Sequence, residues 1–222
     1  MQHLKNRLET LCALVPRCPL VADIGADHAY LTIALLERGI AAHVLCTDLS
    51  PNSLDKARAA LAKTPFEDRV TFCLGDGLLA IGEHAPNAIV IAGMGGETIV
   101  DILSQSTPKE GVSYLLQPMT RASHLRRFLI RHGFTVAEER LAKDDGRVYP
   151  ILRAVRSTEN EIWNEVDYIC GKAHLFPEPD ALTREYSQKI HRACTRRKAG
   201  RVTAKLDTAT EDAVLSTLNK LL

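Results

Sequence analysis

The sequence lacks the features that mark several classes of protein. Its six cysteines are scattered, and no two stand at C-x-x-C spacing, so neither a redox cysteine motif nor a disulfide framework is indicated. No apolar run is long enough for a transmembrane helix, and the chain does not begin with a signal peptide. These features predict a cytoplasmic protein with reduced thiols and no membrane partner.

Histidine clusters and a strong net charge are missing as well. The His residues are dispersed along the chain, so we expect no metal site. The formal net charge is +1, which gives the chain as a whole no attraction for a polyanion, and only the local distribution of charge is informative. A length of 222 residues allows one α/β domain and a small appendage but does not indicate an oligomeric state.

One stretch near the start of the chain has the pattern of a ligand-binding turn. The apolar run from Leu20 to Ile24 predicts a buried strand, and the periodicity predicts a helix over 29–38. Gly25 lies between them and has no side chain to block a ligand. In doubly wound sheets, ligands bind outside the carboxyl ends of the strands. A tight turn after a core strand would give the same local pattern.

The residues after Gly25 argue against a dinucleotide. In a G-x-G-x-x-G motif the second and third glycine positions would be Asp27 and Tyr30. A carboxylate at that place would repel a pyrophosphate. Acidic and aromatic residues fit a ligand with a positive centre and no phosphates, such as S-adenosylmethionine (SAM).

The order of predicted elements is typical of a Rossmann-like SAM-dependent methyltransferase sheet with helices on both faces. We assign this domain to residues 1–156. After a helix over 3–15, five strands alternate with helices or turns, and a β-hairpin ends the domain. The predicted strands are 20–24, 43–47, 70–74, 88–92 and 113–116, and the predicted hairpin pairs 134–141 with 148–155.

Acidic residues and glycines follow successive strands. Asp48 comes 25 positions after Asp23, near the spacing at which an acidic residue binds ribose hydroxyls. Asp76 could accept a hydrogen bond from an adenine amino group, and Gly93 to Gly96 would lie beneath the transferred methyl. One such carboxylate alone is more often a turn or cap residue, but the series favours a cofactor site. The predicted cofactor-binding residues are Asp23, Gly25, Asp48, Asp76, Gly77, Gly93, Met94 and Gly95.

Residues 157–222 predict a separate helical appendage. The segment 157–179 has the composition of a connector with one short helix, and a helix begins after Asp180. A second apolar set over 214–222 predicts a second helix, with the turn near Gly200 or Asp207. Two such helices would form a small antiparallel coiled-coil hairpin.

Basic residues are concentrated in two places. Residues 184–205 hold eight Arg and Lys residues against Glu185 alone, and four arginines lie between 121 and 131. Either cluster alone could be a solvated helix face, but both together in a near-neutral chain favour a surface that binds RNA phosphates. The candidate substrate-binding residues in these clusters are Arg126, Arg127, Arg192, Arg196 and Arg197.

Five short motifs resemble the bacterial tRNA (adenine-22-N1)-methyltransferases, the TrmK family. The resemblance covers about residues 3–155, and the helical appendage also fits. It implies a SAM donor and, as acceptor, N1 of adenine 22 in the D-arm of tRNA. Met119 and Pro150 depart from the asparagine and glutamate expected there, both near the acceptor side. The motifs are Arg7-Leu8-Glu9 leading to Val15-Pro16, residues 22–31, Gly75-Asp76-Gly77-Leu78, residues 91–96 and Leu116-Gln117-Pro118.

This reaction needs positioning more than a strong base, because adenine N1 is unprotonated at neutral pH. We predict Asp27 and Tyr30 as the catalytic pair. Asp27 would support the positive charge or accept from the adenine N6 amino group, and Tyr30 would stack on the base or face the developing cation. His28, Gln117 and Pro118 are predicted to contact the acceptor. A methyltransferase for another RNA position or a small molecule remains an alternative, as does a non-catalytic RNA-binding protein that keeps the fold.

Overall fold

The computed structural model describes residues 4–107, 109–158, 161–172 and 179–222. Seven strands form one sheet in the order β3-β2-β1-β4-β5-β7-β6. The strands are β1 (Cys18–Ile24), β2 (Ala41–Asp48), β3 (Val70–Leu74), β4 (Ala88–Gly95), β5 (Ser113–Thr120), β6 (Phe134–Asp144) and β7 (Arg147–Arg156). The helices are α1 (Asn6–Leu14), α2 (Tyr30–Glu37), α3 (Pro51–Leu61), α4 (Gly96–Ser104), α5 (Ala122–Arg131), α6 (Glu165–Cys170), α7 (Ala181–Thr203) and α8 (Ala209–Leu218).

The sheet confirms the predicted Rossmann-like fold. Strands β1 to β5 pair in parallel, whereas the β6–β7 hairpin joins β5 in antiparallel pairing. Chain order reverses beside β1, which lies between β2 and β4. Such a reversal opens a crevice at the carboxyl ends of the strands, and ligands of doubly wound sheets bind there.

Strands β4 and β5 run three and four residues past their predicted carboxyl ends. The predicted ends were 92 and 116, but β4 continues to Gly95 and β5 to Thr120. Met94 pairs with Pro118 and Gly95 with Thr120, with shifts in register around Met94. The glycine run is therefore an irregular strand end and not a loop after the strand.

Apolar residues cover both faces of the sheet, as parallel strands require. One core cluster joins β1, β2 and β4 to Leu11 of α1, Leu35 of α2 and Leu61 of α3. The opposite cluster packs Ile99 of α4 and Leu125 of α5 on the other face. The helices thus form a layer on each side and leave the strand ends open between them.

The C-terminal helices form a short antiparallel pair. Polar contacts between α7 and α8 run from His191–Asn219 to Arg197–Glu211, and the turn lies at 204–208, near Asp207. Gly200, the other predicted turn position, lies inside α7. Cys170 of α6 and Cys194 of α7 pack with Val214 and Leu218 of α8 in a third apolar cluster. Because α7 has 23 residues and α8 has 10, much of α7 extends beyond α8 and also contacts β6 and β7.

Among the described helices, none combines the length and the apolar character needed to cross a membrane. The cysteine side chains are all free thiols, and four of them are buried.

Candidate active site

A cavity of about 190 Å³ lies at the carboxyl ends of β1 and β4. The turn after β1 forms one wall, Ala92 and Gly93 of β4 form another, and Arg7 and Leu8 of α1 close the side. The structure therefore brings together six predicted site residues, which are Asp23, Gly25, Asp27, His28, Tyr30 and Gly93.

Two glycines shape this cavity because their backbone is left-handed. Gly25 has φ +77° and Gly93 has φ +79°, values that residues with a Cβ rarely adopt. The Gly25 and Ala26 amides donate to the Thr47 carbonyl at 2.8 and 3.1 Å, which ties the end of β1 to β2. A side chain on Gly25 would also collide with Cε of Met94. Met94 therefore covers the turn that the sequence identified.

Asp23 is a buried carboxylate at the base of the cavity. Its Oδ2 accepts a hydrogen bond from Thr32 Oγ1 at 2.8 Å. Burial raises the pKa of Asp23 to about 6, although hydrogen bonds from Thr32 oppose this shift and the charge of Asp48 adds to it slightly. Thr32 lies on α2, nine residues away, and the sequence analysis did not identify it.

We expect Asp23→Asn to stabilise the protein at neutral pH. The raised pKa means that the folded state binds the proton more tightly, so wild type loses stability as pH rises through the interval from 3.8 to about 6. Asp23→Asn has no carboxylate to titrate and so keeps this stability. Its gain in free energy of unfolding over wild type should grow from near zero at about pH 4 to about 3 kcal/mol at about pH 7.5. Urea unfolding at the two pH values measures it, and an equal gain at both would contradict the account.

Asp48 and Asp76 lie at neighbouring strand ends outside this cavity. Asp48 is half-buried, and its Oδ1 accepts from the Ser50 amide at 2.8 Å. Asp76 is exposed at the start of the short 3-10 turn Gly77–Ile81, and the Gly75 amide donates to the Asp48 carbonyl at 3.1 Å. The two carboxylates thus lie at or just beyond the ends of two paired strands, β2 and β3.

Exposed leucines surround these carboxylates. Leu49 is 70% exposed, Leu74 59% and Leu79 63%, although each is a large apolar side chain. Apolar surface beside two carboxylates suits an adenine ring attached to a ribose. These leucines were not predicted as site residues, although Leu49 follows Asp48 directly and Leu74 and Leu79 lie within three positions of Asp76.

The contacts of Gly77 and Gly95 differ from those of the other glycines. Gly77 faces α4, because a Cβ there would collide with Gln105, whose Oε1 accepts from the Leu78 amide at 2.9 Å. Gly95 is extended and lies near Thr98 and Thr120. Their predicted contacts with a cofactor stay predictions.

Asp27 lies at the mouth of the cavity, with about half of its side chain exposed. Its carboxylate is 3.3 Å from His28 Nε2 and 3.5 Å from Lys56 Nζ of α3. The His28 and Tyr30 rings stack with their centroids 5.3 Å apart. Helix α2 begins after Ala29 and has no side-chain cap, so Asp27 does not cap this helix. Lys56 is a site neighbour that the sequence analysis missed.

Gln117 is fully buried, contrary to a role in direct contact with the acceptor in this conformation. Its Oε1 accepts from the Gly93 amide at 3.1 Å and from Arg7 Nη1, and its Nε2 lies 3.6 Å from Met119 Sδ. Arg7 also lies 3.4 Å from Asp144 Oδ2. Gln117 therefore positions Gly93, and Arg7 fixes the N-terminal helix at the cavity.

A second, larger cleft of about 510 Å³ lies between the end of β5, the hairpin and α7. Pro118 lines it, and so do Met119 and Pro150, the two residues that depart from the family pattern. Gly96 allows the start of α4 to pack closely against the end of β5, because a Cβ there would lie 2.8 Å from the Thr120 carbonyl oxygen.

The prediction that Arg126 binds RNA phosphates was wrong. Its side chain is 0% exposed, and its guanidinium pairs with Glu139 at 2.5 Å. It also donates to the Tyr168 carbonyl and to the Tyr186 hydroxyl, each at 3.1 Å. Burial alone would lower the pKa of Arg126, but the charges of Glu139 and Tyr186 and the hydrogen bonds to both together outweigh burial and raise it. Arg126 therefore joins α5 to α6 and α7.

The other candidate arginines divide into two groups. Arg127 makes a bidentate pair with Glu165 at 2.5 and 2.7 Å and lies over the Tyr168 ring, and Arg197 pairs with Glu211 at 2.5 Å. These ion pairs neutralise much of the positive charge that was predicted to bind RNA phosphates. Arg192 and Arg196 are exposed one turn apart on α7, where they can reach a phosphate.

In the described ranges, no group of three or more His, Cys, Asp or Glu side chains is placed to hold a metal ion.

Comparisons with known proteins agree with this geometry. Residues 4–152 match the family described as a methyltransferase domain. The tRNA (adenine(22)-N(1))-methyltransferase of Bacillus subtilis (strain 168) is 29% identical over 172 residues, which cover 76% of this chain and 71% of that protein. The crystal structure of B. subtilis TrmK, an M1A22 tRNA methyltransferase, has a TM-score of 0.81 at 24% identity, covering 99% of this chain and 95% of that one. The structure of M. capricolum TrmK with S-adenosyl-homocysteine has a TM-score of 0.78 at 20% identity, covering 99% and 96%.

Proposed function

Since this chain belongs to the methyltransferase domain family, we propose that it transfers a methyl group from SAM to N1 of adenine 22 in tRNA. The B. subtilis relative whose name states this reaction supports the choice of acceptor. The single observation that most supports the proposal is the cavity at the ends of β1 and β4, where two left-handed glycines lie beside Asp23 and Asp27.

The residues present fit SAM. Gly25 and Gly93 give the cavity its left-handed backbone turns, and Asp48 would accept hydrogen bonds from the ribose hydroxyls. Leu49 and Leu79 would contact the adenine ring of the cofactor beside Asp76. Arg7 is the cation nearest to Gly93 in this cavity, and its guanidinium would bind the carboxylate of the methionine part.

When bound, SAM supplies a methyl group on a positively charged sulfur. The chain's own task is to hold the target base so that N1 lies in line with that methyl. Tyr30 would stack on the base, since its ring is 43% exposed at the mouth of the cavity. N1 has no proton to lose, and the product ring becomes cationic. Asp27 would stabilise this positive charge, and Lys56 and His28 hold its carboxylate in place.

Transfer of radiolabel from SAM tests this activity. Incubation with methyl-tritiated SAM and a tRNA transcript should place label in the RNA, and nucleoside analysis by mass spectrometry should identify it as 1-methyladenosine. Calorimetry under the same conditions should show binding of SAM and none of NAD. If SAM binds normally but no label enters the RNA, the fold assignment stands and the proposed acceptor is wrong.

Arg192 and Arg196 are expected to bind RNA phosphates. Charge reversal at both positions (Arg192→Glu with Arg196→Glu) should weaken tRNA binding and lower the slope of log affinity against log salt by about two, because each neutralised phosphate releases counterions. SAM affinity should not change, since both side chains are exposed on α7. Filter binding at several salt concentrations measures the slope.

A matched control has the same change in net charge away from α7. Lys63→Glu with Lys109→Glu alters two exposed lysines on other parts of the surface. An equal loss of slope in this control would show that the net charge, and not the α7 surface, determines tRNA affinity.

A further inference from the structure

We propose that the 510 Å³ cleft between β5, the hairpin and α7 takes one unpaired nucleotide of the RNA, adjacent to the target adenosine. The proposal rests on the proposed function and adds a second nucleotide site to it. The cleft has the volume of a small-molecule site, which is typically about 300–1,000 Å³. It is separate from the 190 Å³ cavity beside Gly25 and Gly93.

Apolar residues form the floor of the cleft. Pro118 and Met119 come from β5, Tyr149 and Pro150 from β7, and Ile190 from α7. Met119 and Ile190 are only partly buried, so apolar surface remains for a ligand to cover. A nucleobase released from stacking in the RNA needs such a surface, because its faces are apolar.

Cations line the edge of the same cleft. Arg121, Arg147, Lys189 and Arg197 belong to its lining. The Lys189 ammonium donates to the Val148 carbonyl at 3.2 Å and lies 5.6 Å from the Tyr149 ring centre. Partial burial lowers the pKa of Lys189, and the positive charge of Arg147 in the same cleft lowers it further. Acids do approach two members, since Glu97 is 3.4 Å from Arg121 and Glu211 is 2.5 Å from Arg197.

An apolar floor with a cationic edge matches one nucleotide. Lys189 and Arg147 line the same cleft, and among the described residues neither has an acidic partner, so a phosphate there would offset the positive charge of both. The base of the same nucleotide would cover Met119 and Ile190. A small apolar ligand would not use the cations, and a double-stranded segment would not fit the floor.

A short hydrogen-bonded connection links the cleft to the methyl-transfer cavity. Gln117 accepts from the Gly93 amide, which lines the first cavity, and its Nε2 lies 3.6 Å from the sulfur of Met119, which lines the cleft. The two sites are therefore neighbours along β5. That placement suits two consecutive nucleotides, with the target base at Gly93 and its neighbour at Met119.

The wall formed by α7 is held in place by buried contacts. Tyr186 lines the cleft, and its hydroxyl accepts from buried Arg126, which itself pairs with Glu139 of β6. The catalytic domain and the appendage thus form the cleft together. This arrangement explains why a methyltransferase domain would retain the appendage.

The experiment combines a filled cleft with a base removed from the RNA. Ala193 is an exposed residue of α7 that lines the cleft, so Ala193→Trp should fill it without disturbing the core. The control Ala181→Trp adds the same side chain at an exposed position in the first turn of α7, outside the cleft and eleven residues before Arg192. The probes are a tRNA transcript and two forms that carry an abasic site on one side or the other of adenine 22. Kd is measured for each pair.

We expect Ala193→Trp to weaken binding of the intact transcript about tenfold or more, since a stacked base contributes that scale of affinity. One abasic transcript should bind wild type more weakly by a similar factor. Ala193→Trp tested with that abasic transcript should lose no more affinity than the larger of the two single losses. Ala181→Trp should bind like wild type, and all variants should keep wild-type SAM affinity.

Two results would overturn the proposal. One is unchanged tRNA affinity in Ala193→Trp, and the other is losses that multiply for both abasic transcripts. If Ala193→Trp has altered SAM affinity or thermal midpoint, Arg147→Ala decides instead, because its exposed side chain should affect tRNA affinity alone. If either result is obtained while the wild-type protein still methylates tRNA, the proposed function stands and only the nucleotide site in the cleft is refuted.

Discussion

Asp27→Asn should slow methyl transfer about 10²–10³-fold, the scale seen when one preorganised electrostatic contact is removed. The carboxylate lies at the mouth of the cavity between His28 and Lys56, where bound SAM and the target base would exclude water from it. Asparagine keeps the shape and removes the charge that would stabilise the cationic product. Single-turnover methylation of tRNA at saturating SAM measures this step, and SAM affinity should stay within a few-fold of wild type.

Asp55→Asn provides the matched control for Asp27→Asn. It removes the same charge from an exposed position on α3, beside Lys56 but outside the cavity. Its rate should equal that of wild type. A normal rate in Asp27→Asn would refute the electrostatic role, and because Asp27 does not cap α2, a structural role could not replace it.

Arg126→Ala should lower the free energy of unfolding by about 3–5 kcal/mol, the cost of leaving one member of a buried ion pair alone. The change removes the guanidinium partner of the Glu139 carboxylate, which is 2% exposed, and of the Tyr168 carbonyl and the Tyr186 hydroxyl. Urea unfolding followed by circular dichroism measures the loss. Because the contacts of Arg126 hold α6 and α7, tRNA affinity should fall as well.

Arg131→Ala is the control on the same helix. Arg131 is exposed at the end of α5, so its loss should change the free energy of unfolding by no more than about 0.5 kcal/mol. If Arg126→Ala cost as little as Arg131→Ala, the buried network would not hold the appendage to the sheet.

The local features of the fold followed from the sequence because they depend on neighbouring residues. Ser50 directly precedes Pro51 and caps α3, and its hydroxyl accepts from the Ser53 amide at 3.4 Å. The turn at Gly25 was predictable from the break between an apolar run and a helical period. The hairpin turns at Asp145 and Gly146, between the two predicted strands, since both residues tolerate a positive φ.

Contacts between distant segments were beyond the sequence. Arg126 belongs to a helix with four basic residues, and nothing local distinguishes it from Arg131, because its burial depends on Glu139, Tyr168 and Tyr186. Lys56 reaches Asp27 from a different helix, 29 positions along the chain. The extra length of β4 and β5 likewise depends on their mutual pairing through a glycine run that has little intrinsic tendency to form a strand.

The most direct measurement of the central claim compares two tRNA transcripts that differ only at nucleotide 22, the position named for the B. subtilis relative. Each is incubated with the protein and SAM and then copied by reverse transcriptase, which stops at a base methylated on N1 because the Watson–Crick edge is blocked. We predict a stop at nucleotide 22 in the transcript that has adenine there and none in the transcript that has guanine. Equal methylation of both transcripts, or a stop at another adenine, would contradict the account.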